Sequence, residues 1–138
     1  MEDRIQFKTN LRKGESPSWE LLERLADEVC EALRIPYVRV LPLDEERHPD
    51  AQGLYKEDRL GRMGAVYVKR GLALDAVPTL LHELTHHLDW VRGGRTYRDH
   101  NRVFSNKVHG SYFHSALCSV RRAAMLILNE WRARGWKI

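Results

Sequence analysis

Leu81-His82-Glu83-Leu84-Thr85-His86-His87-Leu88-Asp89-Trp90 is the stretch on which the reading of this chain turns. Apolar residues at Val77, Leu80, Leu81, Leu84, Leu88 and Val91 recur at three- and four-residue steps, which predicts a helix from about Ala76 to Val91. Asp75 is its expected cap, Pro78 falls in a tolerant first turn, and Gly93-Gly94 ends the pattern. On such a helix His82 and His86 differ by roughly 40° and stack one turn apart, so both imidazoles can reach one ion. Zinc suits these nitrogen ligands, and a catalytic site needs only three protein ligands, leaving a position for water. Glu83, roughly 100° from His82, is displaced enough to miss ligation yet close enough to take a proton from that water, the part of a general base. The apolar stripe is expected on the face opposite the two histidines. Asp89, about 20° from His82 but two turns along, is either an acceptor for an imidazole N–H or a solvated surface acid. His87 points away from the pair and reads as a packing or surface residue.

Upstream, Ser16-Pro17 supplies a cap and a favoured first residue for a helix whose Trp19, Leu22, Leu25, Ala26, Val29 and Leu33 recur at helical spacing until Pro36 stops it. Residues 1–15 are polar and read as a strand or an arm. Tyr37-Val38-Arg39-Val40-Leu41 alternates as a strand does, and Gly53-Leu54-Tyr55 and Ala65-Val66-Tyr67-Val68 are two more short strands. Together they predict a small antiparallel-type sheet. Downstream, Phe113, Leu117, Val120, Ala124, Ile127 and Trp131 mark a third helix opening at Ser111. Three main helices and a small sheet make an α+β fold, and 138 residues without internal repeats make one domain, 1–138.

Hydrophobic residues at 43% and charged residues at 30% argue against disorder. No apolar run approaches the roughly 20 residues of a membrane helix, and the first residues carry charge instead of an apolar signal core. A cytoplasmic protein with no membrane partner is expected. Cys30 and Cys118 each fall in a predicted amphipathic helix and read as reduced core thiols more readily than as a disulfide; neither has the paired spacing of a cysteine zinc site.

The stretch Leu81 to Trp90, with His109-Gly110-Ser111-Tyr112-Phe113 downstream, resembles the SprT-like and related minimal zinc metallopeptidases, which include the Spartan proteases. The resemblance covers roughly residues 53 to 122. It implies a compact, zincin-like α+β domain that binds one zinc ion and hydrolyses peptide bonds in a protein or peptide substrate. Carried over residue by residue, it makes His82, His86 and His109 the zinc ligands and Glu83 the general base. His109 lies 23 residues after His86, where such families commonly leave about a dozen, and His100 fits the shorter spacing better. His109 is favoured because Gly110-Ser111 opens the last helix and Leu117 to Arg122 continues the family-like pattern; the extra residues are then a basic insertion. His114 ranks third, Asp99 beside His100 is equally a plain loop residue, and Tyr97 and Tyr112 are candidate oxyanion donors.

Net charge is +4, and the segment 92–107 gathers Arg92, Arg95, Arg98, Arg102 and Lys107 around a single acid, Asp99, with Tyr97 and Phe104 interleaved. It reads as a solvated loop or as a phosphate-binding strip for nucleic acid. The alternative to catalysis is a zinc-stabilised protein- or DNA-interaction module without turnover, against which Glu83 stands.

Overall fold

The computed structural model describes residues 19–57, 63–69, 73–94 and 111–135. They form an α+β fold of three helices and a three-stranded mixed sheet: α1 (Trp19–Leu33), β1 (Val38–Pro42), β2 (Gly53–Lys56), β3 (Gly64–Val68), α2 (Ala73–Asp89), which runs into a π-helical turn at Trp90–Gly94, and α3 (Ser111–Ala133).

α1 buries Leu21, Leu22, Leu25, Ala26, Val29 and Cys30, the stripe its spacing dictates. It stops before Pro36 through a Schellman cap: Ile35 N–H donates to Cys30 O (3.0 Å) and Arg34 N–H to Glu31 O (3.2 Å). Arg34 occupies the left-handed position at φ 57°, usually a glycine's, and Ile35 is driven into the core. The turn aims the chain straight into β1.

The sheet is not antiparallel throughout. Its order is β1-β3-β2; β2 pairs antiparallel with β3, but β1 pairs parallel with β3, Val40 opposite Val66. The chain rises through β1, descends through β2 and rises again through β3. When β3 inserts between the other two it must run parallel to β1. Alternating residues reveal strands but not the order in which they sit, so this mixture was invisible to periodicity. The connection from 43 to 52 crosses the end of β3 and is tied there, with Leu43 N–H donating to Val68 O (3.0 Å) and Lys69 N–H to Gln52 O (2.9 Å). Asp44 stabilises the bend by accepting the Glu46 N–H (3.1 Å).

The core lies between the sheet and the helices. Val40, Val66 and Val68 from the sheet meet Leu22, Leu25 and Val29 of α1, Leu80, Leu84 and Leu88 of α2, and Val120, Ala124 and Trp131 of α3. Trp131 is 1% exposed, and its indole N–H reaches Glu28 of α1 at 3.3 Å, joining the last helix to the first. Two expectations need correcting. α2 starts at Ala73, so Asp75 is inside the helix and Pro78 sits in its second turn, where the ring costs a backbone hydrogen bond. Cys30 is buried, but Cys118 is exposed, one residue round α3 from the side that packs; both thiols are free, and burial with Asp27 nearby pushes the Cys30 thiol up to about 12. No helix among the described residues is long and apolar enough to cross a membrane.

Candidate active site

α2 carries three kinds of side chain on three faces. Leu80, Leu84 and Leu88 are fully buried in the core. His82 and His86 are half-buried on another face, their ring centres 5.0 Å apart and nearly perpendicular. Two imidazoles that each bind a tetrahedral ion through one nitrogen at about 2 Å place their ring centres about 5 Å apart, so the spacing fits one shared zinc. Behind them stands Phe113 of α3, its ring centre 5.3 Å from that of His82 and 4.7 Å from that of His86. This apolar wall, 3% exposed, limits the directions the two rings can take.

Glu83 is the third kind. Its side chain is buried, 7% exposed, yet among the described residues it forms no hydrogen bond or ion pair, and burial alone lifts its carboxyl from 4.5 to about 7. It opens into a cleft of about 680 Å³ whose wall also includes His82, Gln52 and Gly53. Gly53, the first residue of the edge strand β2, explains how the carboxylate comes to lie so deep. A Cβ there would stand 2.6 Å from Thr79 Cγ2, 3.0 Å from Glu83 Oε2 and 3.0 Å from the Tyr67 carbonyl oxygen. Only glycine lets β2 approach α2 closely enough to cover Glu83. Sequence reading took Gly53 for a strand residue alone; a glycine opening a strand was the available signal of close approach.

The apolar stripe is broader than the wheel implied. Leu81 and Val77 are half-buried and line the cleft with His82 instead of lying opposite it. Leu81 and Glu83 flank His82 by about 100° on either side, which gives the cleft one greasy and one acidic border. Leu117 of α3 is likewise half-buried on the cleft wall.

His87 is fully engaged elsewhere. At 1% exposed, it lies between the Tyr55 hydroxyl (2.8 Å from Nδ1) and the Pro36 carbonyl oxygen (2.7 Å from Nε2). A carbonyl can only accept, so Nε2 carries a proton and donates to Pro36 O, while Nδ1 shares a hydrogen bond with the Tyr55 hydroxyl. Thr85 satisfies its buried hydroxyl by donating to Leu81 O at 2.7 Å. Asp89 is half-buried at the last residue of α2.

His100, His109, Tyr97, Asp99 and all of the basic segment except Arg92 to Gly94 lie outside the described residues, as does the side chain of Tyr112. His114 is exposed, with its ring 6.3 Å from Phe113. Among the described residues no group of three or more His, Cys, Asp or Glu side chains is arranged to hold a metal. His82 and His86 are therefore two candidate ligands, and the described residues do not complete a set around them. Comparison with protein families, with curated proteins and with solved structures finds no match.

Proposed function

We propose that this chain is a zinc-dependent peptidase with a zincin-like domain of the SprT-like kind, in which His82, His86 and His109 hold one zinc ion and Glu83 is the general base. The observation that carries the reading is the buried, unpartnered Glu83 carboxylate beside two imidazoles at ligating distance. A carboxylate largely withdrawn from water and given no partner among the described residues costs stability, and a fold retains that cost where the group has work to do. The resemblance of Leu81 to Trp90 to the SprT-like motif helix points the same way.

Zinc in such a site supplies a Lewis acid for the scissile carbonyl and makes water more acidic. Glu83 takes a proton from the attacking water as its oxygen bonds to the carbonyl carbon. It returns that proton to the leaving nitrogen as the C–N bond breaks. Burial raises this carboxyl above its ordinary value in the metal-free fold, which favours its holding the proton between the two transfers. Phe113 holds the imidazole planes, and the cleft beside Glu83 and His82 receives the peptide. We assign the protein to a reducing, cytoplasmic setting, in keeping with its two free thiols.

The test is zinc content measured alongside cleavage of a mixed protein substrate. Wild type should hold one zinc, Glu83→Gln should keep zinc and lose cleavage, and His82→Ala and His86→Ala should lose both. Full cleavage by Glu83→Gln, or undiminished zinc binding by His82→Ala, would overturn the proposal. A zinc-stabilised interaction module would leave the buried carboxylate without a purpose.

A further inference from the structure

We infer that Arg121 forms a carboxylate-selecting subsite in the cleft, so that the peptides favoured there carry an acidic group within about three residues of the scissile bond; this rests on the peptidase reading for the word scissile only. α2 and α3 run antiparallel, because His86 meets Phe113 at one end while Val77 and Pro78 share the cleft wall with Arg121 at the other. Phe113, Leu117 and Arg121 follow one another a turn apart on α3. Arg121 is thus about 12 Å along the helix from the ring that backs the two imidazoles, a span covered by three or four residues of extended peptide.

Val77, Pro78, Leu81 and Leu117 form the apolar part of the wall beside the polar Thr79 and Gln52, and among the described residues Arg121 is its one side chain with a permanent positive charge. Arg24 and Arg134 each pair with a glutamate four residues away. Arg121 has no such neighbour: the positions three and four residues to either side are Leu117, Cys118, Ala124 and Met125. Among the described residues it makes no hydrogen bond or ion pair. A guanidinium has the planar fork that binds a carboxylate in two parallel hydrogen bonds, and this one meets the cleft unpaired. A glutamate or aspartate side chain and a peptide's terminal carboxylate satisfy this chemistry equally.

The test uses acetylated, amidated decapeptide pools carrying one Glu, Gln or Lys, and a matching Gln pool with a free terminal carboxylate. Binding is read by fluorescence anisotropy and cleavage by mass spectrometry, both on the zinc-loaded chain. The expected Glu over Gln preference is about three- to tenfold at low salt, shrinking as salt rises. It should fall to about one in Arg121→Ala, turn toward Lys in Arg121→Glu and persist in Arg122→Ala, an equally exposed arginine outside the cleft wall. Preference for the free-carboxylate pool assigns the group to a peptide end, and preference for the Glu pool to a side chain. Equal binding of the Glu, Gln and free-carboxylate pools by wild type, or an undiminished preference in Arg121→Ala, would overturn the inference. Arg121-dependent binding without cleavage would remove the peptidase reading and leave the subsite standing; cleavage without preference would do the reverse.

Discussion

Replacing Glu83 with glutamine should abolish cleavage and, in the same protein freed of metal by a chelator, raise stability. The folded carboxyl titrates at about 7 and an unfolded one at 4.5. Below pH 4.5 both states bind the proton and burial exacts no ionisation penalty. As pH rises from 4.5 toward 7 the unfolded chain ionises while the folded chain resists, so stability is lost across that window and levels off above it. At about 1.4 kcal/mol for each tenfold change, the penalty is about 1 kcal/mol at pH 5 and about 3 kcal/mol at pH 8. Glutamine does not ionise. The advantage of Glu83→Gln over wild type should therefore grow by about 2 kcal/mol between pH 5 and pH 8, roughly 7 °C in melting temperature for a chain of this size. Urea titrations followed by circular dichroism at both pH values give the difference directly, whatever fixed offset the amide introduces. An advantage that does not change with pH would refute the argument that Glu83 is buried without a partner. Cleavage should fall by about a hundredfold or more, the usual loss on removing a general base.

Gly53→Ala should destabilise the fold by about 1–3 kcal/mol and slow cleavage, because its methyl would stand 2.6 Å from Thr79 Cγ2 and 3.0 Å from Glu83 Oε2. Adding Thr79→Ser, which removes that methyl, should recover part of the stability in a double-mutant cycle measured by urea. Phe113→Leu should keep the fold but weaken zinc binding about tenfold in a competition titration, since the wall behind both imidazoles becomes looser. His87→Ala should cost about 2–4 kcal/mol by stranding the Tyr55 hydroxyl and the Pro36 carbonyl, with zinc content still one per folded chain. Between His100→Ala and His109→Ala, metal analysis should find zinc lost from the His109 variant.

The helix that carries His82 and His86 was legible because its information is local. A four-residue step fixes the relative direction of His82 and His86 whatever surrounds them, and the leucine stripe fixes which side packs. Helix type and approximate extent followed from the same periodicity for α1 and α3. The sheet was legible only as strands: β1 and β3 pair across 26 residues, and no spacing within either strand records that β3 lies between its neighbours. The depth of Glu83 was hidden for a related reason. It depends on a glycine thirty residues upstream in β2 and on no property of the motif itself. Cys118 and Leu81 show the limit of a helical wheel, which ranks directions but does not say how wide the packed sector is. Nothing in the spacing of α3 singled out Arg121; the antiparallel packing of α2 and α3 puts it on the wall of the cleft.

The adjacent histidines His86 and His87 divide the labour that makes the site possible. Consecutive helical residues differ by about 100°, so fixing one fixes the heading of the other. His87 is fixed from two separate elements, by Tyr55 of β2 and by the carbonyl of Pro36 just before β1. A rotation of α2 about its axis large enough to swing His86 off its mark would break both hydrogen bonds inside a dry core, where unmade bonds are costly. The same rotation would drive Thr79 and Glu83 into the backbone at Gly53 or pull them from it. The helix is thus stopped by a hydrogen-bonded histidine on one side and a steric contact on the other. Between those stops the unpartnered Glu83 and the paired imidazoles have little room to relax into solvent. The hydrogen-bonded His87 holds His82 and His86 to their direction, and it does so from the part of the core that the strands and α1 build first along the chain.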